Sequence, residues 1–208
     1  MAISIPKVSV RRALWIILVA ILALIVFRST VYSVRYGTIG VVTRFGRIIG
    51  EPAEPGLHVK IPFVDKVLVY RTQKIIYETL STEAFVNNES NADYLDHAVD
   101  TTTKDGQQIS LRYSVRFSIN PERVQEVAER LGTEWEVVEK IIKTDSRIWV
   151  RSLTRNYEAL DLYSGNIEEV SLAIAEKLGP LFEENGIILD EFGIRSINLR
   201  EEYVPTIE

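Results

Sequence analysis

An uncharged apolar run near the N-terminus constrains this chain more than any other feature. Residues 13–27 read ALWIILVAILALIVF, fifteen residues without a charge, and arginines flank the run on both sides. As a helix that rises about 1.5 Å per residue, the run extends roughly 22 Å, against about 30 Å for the hydrocarbon core of a bilayer. Flanking arginines can reach towards the interface, and neighbouring apolar residues add length. The run therefore predicts a single membrane anchor at 13–27, preceded by a basic segment at 1–12.

The predicted anchor has two rival interpretations, a cleaved signal peptide and a buried core helix. The residues after Phe27 read RSTVYSV and contain no small-x-small cleavage pattern, which disfavours the signal peptide. Basic residues lie on both sides of the run, so the positive-inside rule barely sets an orientation. The anchor interpretation assigns to the membrane the side chains of Leu14, Trp15, Ile16, Ile17, Leu18, Val19, Ile21, Leu22, Leu24, Ile25, Val26 and Phe27.

Cysteine content and charge exclude several classes of protein. No cysteine occurs among the 208 residues, which excludes disulfides, cysteine–zinc sites and thiol nucleophiles. Four of the 24 basic residues lie in the first 28 positions, which leaves 20 basic against 29 acidic residues, a formal charge of −9, for residues 29–208. Since neutralising phosphates requires a basic surface, we expect no nucleic-acid partner.

Short apolar runs separated by glycine and proline follow the anchor. The predicted strands lie at 38–43, 57–61, 64–70 and 74–80, with a turn at 45–47 and a loop at 51–56. Short strands at this spacing predict an antiparallel, partly rolled sheet. Residues 81–98 are polar and predict a long surface loop.

The clearest strand signal is strict alternation. Six apolar residues from Ile109 to Ile119 alternate with serines and arginines, and this period of two predicts a strand with one buried face. Asp105-Gly106 lies just before it and suits a tight hairpin turn, because glycine allows positive φ. The partner strand is then predicted at 99–103.

Helix signals follow the alternating segment. Asn120 is a predicted N-cap with Pro121 at the first helical position, and Thr133 opens a predicted capping box. A third helix is predicted from Ser164, with a kink or break near Gly179 because a proline follows it. The predicted buried face of the second helix consists of Trp135, Val138, Ile141, Ile142, Ile148 and Trp149.

A last strand is predicted at 187–199, after Gly186 ends the third helix. The apolar phase of this strand shifts near Arg195, which indicates a β-bulge. Another helical segment is expected from residue 201 onward. Strands and helices are thus segregated along the chain, and this order predicts an α+β fold.

No group of residues indicates a catalytic or metal site. His58 and His97 are the only histidines, and neither has a partner at a metal-binding spacing. No G-x-S-x-G nucleophile motif and no phosphate-binding glycine pattern occurs. We therefore expect a protein that is not an enzyme and has no metal and no cofactor, with His58 as a strand residue bonded to the backbone.

The first helix after the alternating segment carries alternating charge. The acidic residues from Glu122 to Glu139, which continue into the second helix, alternate with Arg123, Arg130 and Lys140, and this pattern is typical of a solvated helix face. A contact between copies of the chain is the other interpretation, and the sequence does not separate the two. The residues of this candidate oligomer contact are Glu122, Arg123, Glu126 and Arg130.

Four segments in a fixed order carry a resemblance to a known family. After the anchor the chain reads YGTIGVVTRFGRIIG, then EPGLHVKIPFVDKVLVYRTQ, then TTTKDGQQISLRYSVRFSINP, then ENGIILDEFGIRSINL. Together, residues 32–208 resemble the prohibitin/stomatin superfamily, whose shared unit is the SPFH or Band 7 domain. The sequence looks closest to the prohibitin-like branch, and the resemblance places an SPFH domain at 30–200.

The resemblance implies a membrane-anchored scaffold. Members oligomerise through the SPFH domain and a long helix after it, and prohibitin-like members form rings or cages that organise a membrane patch and regulate proteases. The implied partners are membrane lipids, further copies of this chain or related SPFH proteins, and a membrane AAA protease. The implied location of the body is the periplasm or an equivalent non-cytoplasmic compartment. The residues implied to lie at the membrane interface, for which core packing is the alternative, are Lys60, Ile61, Phe63, Val64 and Lys66.

The sequence departs from the family pattern in two places. Many relatives carry a proline near the end of the last strand, where this chain has Leu199-Arg200. The chain also ends at Glu208, before the long helix of the family, and 201–208 resemble the start of such a helix in a truncated sequence. Two other functions stay open, a monomeric membrane-tethered module that binds a lipid or ligand, and a membrane-bound hydrolase.

Overall fold

The computed structural model describes residues 10–87, 90–164 and 167–199. The described strands are β1 (Val31–Val34), β2 (Thr38–Arg44), β3 (Arg47–Ile48), β4 (Gly56–Val59), β5 (Asp65–Arg71), β6 (Ile75–Leu80), β7 (Tyr94–His97), β8 (Val99–Thr102), β9 (Gln108–Ile119) and β10 (Ile187–Leu199). The described α-helices are α1 (Val10–Thr30), α2 (Thr82–Val86), α3 (Val124–Arg130), α4 (Glu134–Val137), α5 (Thr144–Thr154), α6 (Ala159–Ser164) and α7 (Ile167–Glu184). A 3₁₀ turn spans Pro121–Arg123, and a π-helical segment spans Val138–Lys143. The predicted helix start at 201–208 and residues 1–9 of the predicted basic segment lie outside the described residues.

The strands form three separate sheets. β1 and β4 form an antiparallel ribbon, and β3, β2 and β5 form an antiparallel sheet in that order. The largest sheet has the order β10-β9-β6-β7, and β8 pairs with the first half of β9. β6 and β7 are parallel, so the predicted wholly antiparallel arrangement is wrong at this pair.

The alternating segment forms the centre of the molecule. β9 pairs with β10 along its length, and Thr102 pairs with Gln108 across the predicted hairpin turn. Every apolar side chain from Ile109 to Ile119 is 0% exposed. These side chains belong to one core with the buried residues of α5 and α7. Burying a side chain of this size contributes roughly 1.5–3 kcal/mol, so the two-layer body of large sheet and helices holds most of the stability.

Both predicted helix caps are confirmed. Asn120 Oδ1 accepts a hydrogen bond of 3.0 Å from the Glu122 N–H. Thr133 Oγ1 accepts one of 3.4 Å from the Glu136 N–H, while the Glu136 carboxylate accepts one of 2.8 Å from the Thr133 N–H. The caps were predictable because they depend only on residues a few positions apart.

The buried face of the second helix differs from the prediction. Trp135 and Ile148 are exposed, whereas Ile142, Ser146 and Val150 are buried at a regular spacing of four. A π-helical segment lies between α4 and α5, and its wider turn changes which side chains face the core. The prediction at Trp135 and Ile148 was wrong because it assumed one uninterrupted α-helix.

The third helix also differs from the prediction. It begins as α7 at Ile167, since Ser164 instead ends α6. The helix continues past Pro180 to Glu184, so no break occurs at Gly179. Buried Phe182 holds the turn after the proline against the core.

The last strand matches its prediction in extent. β10 covers 187–199, and its register shifts between Ile194 and Ser196, which confirms the predicted bulge. A second shift lies between Leu189 and Glu191. The strand therefore bends twice while it follows β9.

The region predicted as a long loop contains regular structure. Ser81 caps α2 by accepting a hydrogen bond of 3.3 Å from the Ala84 N–H, and β7 then pairs with β6. The loop prediction for 81–98 was therefore wrong. Its polar composition hid a short strand that gains most of its burial from packing on a distant strand.

Candidate membrane-contact surface

The carboxyl end of α1 leads directly into the β1–β4 ribbon. β1 starts at the residue after α1, and Val31 pairs with Val59 in β4. The Lys60 N–H donates a hydrogen bond of 2.7 Å to the Thr30 carbonyl oxygen. The ribbon is therefore fixed to the end of the apolar helix.

Large apolar side chains point to solvent at this end of the molecule. Leu57 and Val59 on β4 are 76% and 75% exposed, and Phe63 in the next turn is 85% exposed. Phe45, at the tip of the β2–β3 hairpin, is 88% exposed. We call these four residues, together with the partly exposed Ile61, the apolar tip. Exposed apolar clusters of this kind mark sites of contact with membranes or proteins.

Two turns of the apolar tip have a strained backbone. Phe45 has a φ of 50° and Phe63 a φ of 64°, in the left-handed region that bulky side chains rarely adopt. Such a conformation costs about 1–3 kcal/mol per residue and is typical of functional positions. Both strained turns direct a phenylalanine outward.

An ion pair fixes the two turns to each other. Arg44 precedes Phe45, and its Nε and Nη2 donate to the two oxygens of Asp65 over 2.7 and 3.1 Å. Asp65 also accepts a hydrogen bond of 2.8 Å from the Ile61 N–H, which closes the turn around Phe63. The hydrogen bonds from Arg44 and from this N–H lower the pKa of Asp65. The carboxylate thus stays charged and sets the position of both tips.

A cleft opens beside the apolar tip. It has a volume of about 970 Å³ and lies between the β1–β4 ribbon and the segment 49–54. Tyr32 and His58 stack in its wall with ring centroids 5.5 Å apart. His58 Nε2 lies 2.6 Å from the Glu54 carbonyl oxygen, as expected of a strand histidine with a backbone partner.

Nothing in the described residues forms a metal centre. No group of three or more His, Asp or Glu side chains lies close enough to hold an ion within the part of the chain that the structure describes. The expectation that the protein has no metal, no cofactor and no catalytic residue stays a prediction.

The residues predicted for the membrane interface lie together in the structure. Ile61 and Phe63 are exposed as that prediction requires, while Val64 is half-buried. Lys60 lies at the cleft and Lys66 is exposed at the start of β5. Their geometry does not fit the core-packing alternative for Ile61 and Phe63. Contact with lipid stays a prediction.

A polar cluster connects the smaller sheets to the body. The Arg71 side chain donates hydrogen bonds to Glu134 over 2.9 and 2.7 Å and another to Asp93. Its guanidinium carbon Cζ lies 5.6 Å from the centroid of the Tyr94 ring. Tyr94 donates to the same glutamate over 2.8 Å, and Tyr70 donates to the Gly132 carbonyl oxygen over 2.5 Å. Burial opposes the charge of Arg71, but its two carboxylate partners outweigh this and raise its pKa. The smaller sheets, which lead to the apolar tip, are therefore held to the body by charged hydrogen bonds.

The residues of the candidate oligomer contact are largely paired within the chain. Arg123 and Arg130 both pair with Glu126, over 2.8 and 2.9 Å. The Arg123 guanidinium also donates to the carbonyl oxygens of Glu183 and Glu184 at the end of α7. These bonds explain the charge pattern as a link between α3 and α7, with Glu122 left exposed at the start of the helix. A role in oligomerisation stays a prediction.

Sequence reasoning missed Phe45, Leu57 and Val59 as members of the apolar tip. Leu57 and Val59 alternate with His58, which in a strand usually indicates a buried face. Only the absence of a packing layer over this face of the described ribbon makes them exposed. For Phe45, the adjacent Gly46 in a hairpin tip was the available signal.

Comparison with protein-family profiles gives one match over most of the chain. Residues 32–208 match the family described as "SPFH domain / Band 7 family". The matched region begins two residues after the end of α1 and includes both the apolar tip and the two-layer body. Comparison with curated proteins gives no significant match.

Proposed function

This chain belongs to the SPFH domain / Band 7 family, a family of membrane-associated scaffolds, and from this membership we propose that it is a membrane-anchored scaffold that assembles with further copies. The assemblies are rings or cages that organise a patch of membrane and regulate a membrane protease or other membrane proteins. α1 anchors each copy, and the apolar tip rests on the lipid surface beside it.

The exposure of α1 is the observation that carries the proposal. The large apolar side chains from Leu14 to Phe27 are 38–70% exposed, and none packs into the core. The helix segment Arg11–Thr30 contains an 18-residue window with a mean hydropathy of 2.4 and is long enough to cross a membrane. This exposure contradicts the buried-helix alternative. An apolar surface of this size needs a lipid or protein environment.

The apolar tip supports a second point of membrane contact. Thr30 ends the helix, and its carbonyl oxygen accepts a hydrogen bond from the Lys60 N–H, so the tip lies beside the end of the helix. In the proposed arrangement this is where the helix leaves the bilayer. Lys60 is half-buried and Lys66 exposed beside the tip. In the proposed arrangement both would lie at the depth of lipid head groups. Val64 lies half-buried between them and completes the predicted interface.

We further propose the finer assignments as a set. The chain is a prohibitin-like member, its partners are lipids, copies of itself or related SPFH proteins, and a membrane AAA protease, and it is not an enzyme. Its body faces the periplasm or an equivalent compartment. Added protease should then degrade the body from the non-cytoplasmic side of intact cells, and degradation only in inverted vesicles would refute that orientation.

The membrane contact has a direct test because the chain contains no cysteine. A single Phe63→Cys substitution in the full chain is labelled with an environment-sensitive dye and reconstituted in vesicles of zwitterionic and anionic lipid. Nitroxide-labelled lipids should quench the dye strongly. A Trp135→Cys control, at an exposed site on the body, should stay unquenched. Equal quenching of the two dyes contradicts the proposed contact.

Assembly has an independent test in the mass of the detergent-extracted protein. Size exclusion with light scattering should give a mass many times the 23.7 kDa of one chain. A monomeric mass would instead favour the module that binds a lipid or ligand. The cleft of about 970 Å³ beside Tyr32 and His58 supplies a cavity for that alternative, since ligand pockets typically have about 300–1,000 Å³.

A further inference from the structure

We propose that the cleft beside the apolar tip binds the head group of a zwitterionic phospholipid from the adjacent leaflet. The phosphate of that lipid contacts Lys60, its ammonium group contacts Glu51 and Glu54, and its acyl chains run along α1. The inference rests on the proposed anchoring of α1 in the bilayer, and it adds to that proposal a binding site and a class of lipid.

The cleft opens where the apolar helix ends. Thr30, the last residue of α1, and Val31, the first residue of β1, both line it. Leu57, Val59 and Ile61 of the apolar tip line it as well, and these three side chains are 46–76% exposed. The cleft is therefore continuous with the surface that we propose to contact the membrane, so a lipid beside α1 reaches it from the bilayer.

Both walls of the cleft are fixed within the chain. Segment 49–54 is held to β2, where Gly40 and Ala53 exchange two backbone hydrogen bonds of 2.9 and 2.6 Å. The opposite wall is the β1–β4 ribbon, and the contact of 2.6 Å between His58 Nε2 and the Glu54 carbonyl oxygen joins the two walls. Because the walls are already ordered, binding a ligand costs little further conformational freedom.

Three charged side chains in the lining have no partner within the chain. They are Glu51, Glu54 and Lys60, and none of them makes a side-chain hydrogen bond or an ion pair with a residue that the structure describes. The two glutamates are exposed and the lysine is half-buried, so a ligand in the cleft can reach each of them. Charge-assisted hydrogen bonds from these groups would orient a head group.

The other two charges of the cleft neutralise each other. Arg44 and Asp65 also line it, and they form the ion pair that fixes the two turns of the apolar tip. The hydrogen bond from Arg44 is the main cause of the lowered pKa of Asp65, and the charge of Lys60, which lies beyond ion-pair distance, is the smallest. Lys60 is therefore available to a ligand.

This charge pattern selects the class of head group. One positive and two negative side chains are left unpaired in the lining of the cleft. An anionic head group would meet more negative than positive charge, whereas a zwitterionic head group pairs its phosphate with Lys60 and its ammonium group with the glutamates. Val42, Ile49 and Pro52 are half-buried in the lining and offer apolar surface to the first part of the acyl chains.

Lipid retention by the full chain tests the selectivity. The chain is extracted in mild detergent, exchanged with an equimolar mixture of phosphatidylethanolamine and phosphatidylglycerol, washed, and analysed by lipid mass spectrometry. About one phosphatidylethanolamine per chain should be retained, in about fivefold excess over phosphatidylglycerol. Equal retention of the two lipids, or an excess of the anionic one, would overturn the inference.

Removing the positive charge tests the site. Lys60→Ala should lower the retained phosphatidylethanolamine about fivefold, because the phosphate loses its partner. Lys104→Ala, at an exposed lysine of the body, is the matched control and should leave retention unchanged. If Lys60→Ala retains as much lipid as the unchanged chain, the lipid lies only against α1 and the cleft is not its site.

Reversing the negative charges tests the recognition of the ammonium group. Glu51→Lys combined with Glu54→Lys should shift the preference towards phosphatidylglycerol, since three positive side chains then line the cleft. This gain of anionic lipid is a result that misfolding does not produce. Glu168→Lys combined with Glu169→Lys, at exposed sites on α7, should keep the original preference. An unchanged preference in the cleft variant contradicts the proposed recognition.

Alkaline carbonate extraction of the unchanged chain separates the two levels of failure. If the chain stays in the membrane pellet but shows no lipid preference, the proposed site is wrong and the anchoring of α1 survives. If the chain leaves the pellet and retains no lipid, both proposals are wrong.

Discussion

Phe63 and Phe117 carry the same side chain, but it is exposed in the apolar tip and buried in the body. Phe63 is 85% exposed in a strained turn of the apolar tip, whereas Phe117 is 0% exposed in the centre of β9. Around Phe117 a sheet and two helices meet, and around Phe63 the chain turns back after a few residues. The difference shows that a hydrophobic side chain is buried only where another sheet or helix packs over it.

The same contrast divides the charged residues. At the tip, Arg44 and Asp65 hold two turns in position, and in the body Arg123 joins α3 to the end of α7. Both sets of bonds join separate elements within one chain. Arg112 has no such bond, since its Nε is buried without a hydrogen-bond partner in the described residues.

The largest expected effect concerns the exposed helix α1. Leu18→Arg combined with Leu22→Arg should cost roughly 5–7 kcal/mol of insertion free energy, at about 2.5–3.5 kcal/mol per central arginine. The protein should then leave the membrane pellet on extraction with alkaline carbonate. Trp135→Arg, on the exposed surface of the body, should leave it there. Retention of the double variant would mean that α1 does not hold the chain in the bilayer.

A matched pair of substitutions sharpens the comparison between tip and body. Phe117→Ala should lower the free energy of unfolding by about 3–5 kcal/mol through loss of burial and a residual cavity. Phe63→Ala should change it by less than about 0.5 kcal/mol in detergent, since the ring contacts little. Thermal unfolding followed by circular dichroism compares the two. Similar losses for both variants would contradict the exposed tip.

The joint between the two regions should have an intermediate effect. Glu134→Ala removes the acceptor of Arg71 and Tyr94, and leaving such partly buried donors unpaired costs about 2 kcal/mol. Hydrogen exchange should show faster exchange in β5 and the start of β7, with β9 unchanged. Uniform acceleration across the protein would indicate that the two regions unfold as one unit.

The smallest effect is a pH dependence confined to the tip. The pKa of Asp65 lies below its ordinary value of 3.8 because Arg44 and the Ile61 N–H bond its charged form. Its contribution to stability is therefore present above pH 3.8 and is lost as the pH falls through the lower pKa of the folded state. Calorimetry between pH 5 and pH 3 should show a larger loss for the unchanged chain than for Asp65→Asn. Equal losses would show that the ion pair does not stabilise the turn.

Local sequence determined the elements whose physics is local. Strict alternation gave β9 its two faces, Asp105-Gly106 gave the hairpin, and Asn120 and Thr133 capped their helices where predicted. The apolar run at 13–27 likewise predicted a helix, and that helix is not buried in the core of the described residues. Each of these depends on residues within a few positions of one another, so no knowledge of the rest of the chain was needed.

Tertiary structure decided which side chains are buried and which strands pair. The π-helical segment exposed Trp135, the parallel pairing of β7 with β6 gave structure to a predicted loop, and the uncovered ribbon turned Leu57 outward. The candidate site was accordingly predicted only around Ile61 and Phe63, and its other members emerged from the fold. Each of these outcomes depends on what lies opposite a residue in space, and that neighbour is distant in the sequence.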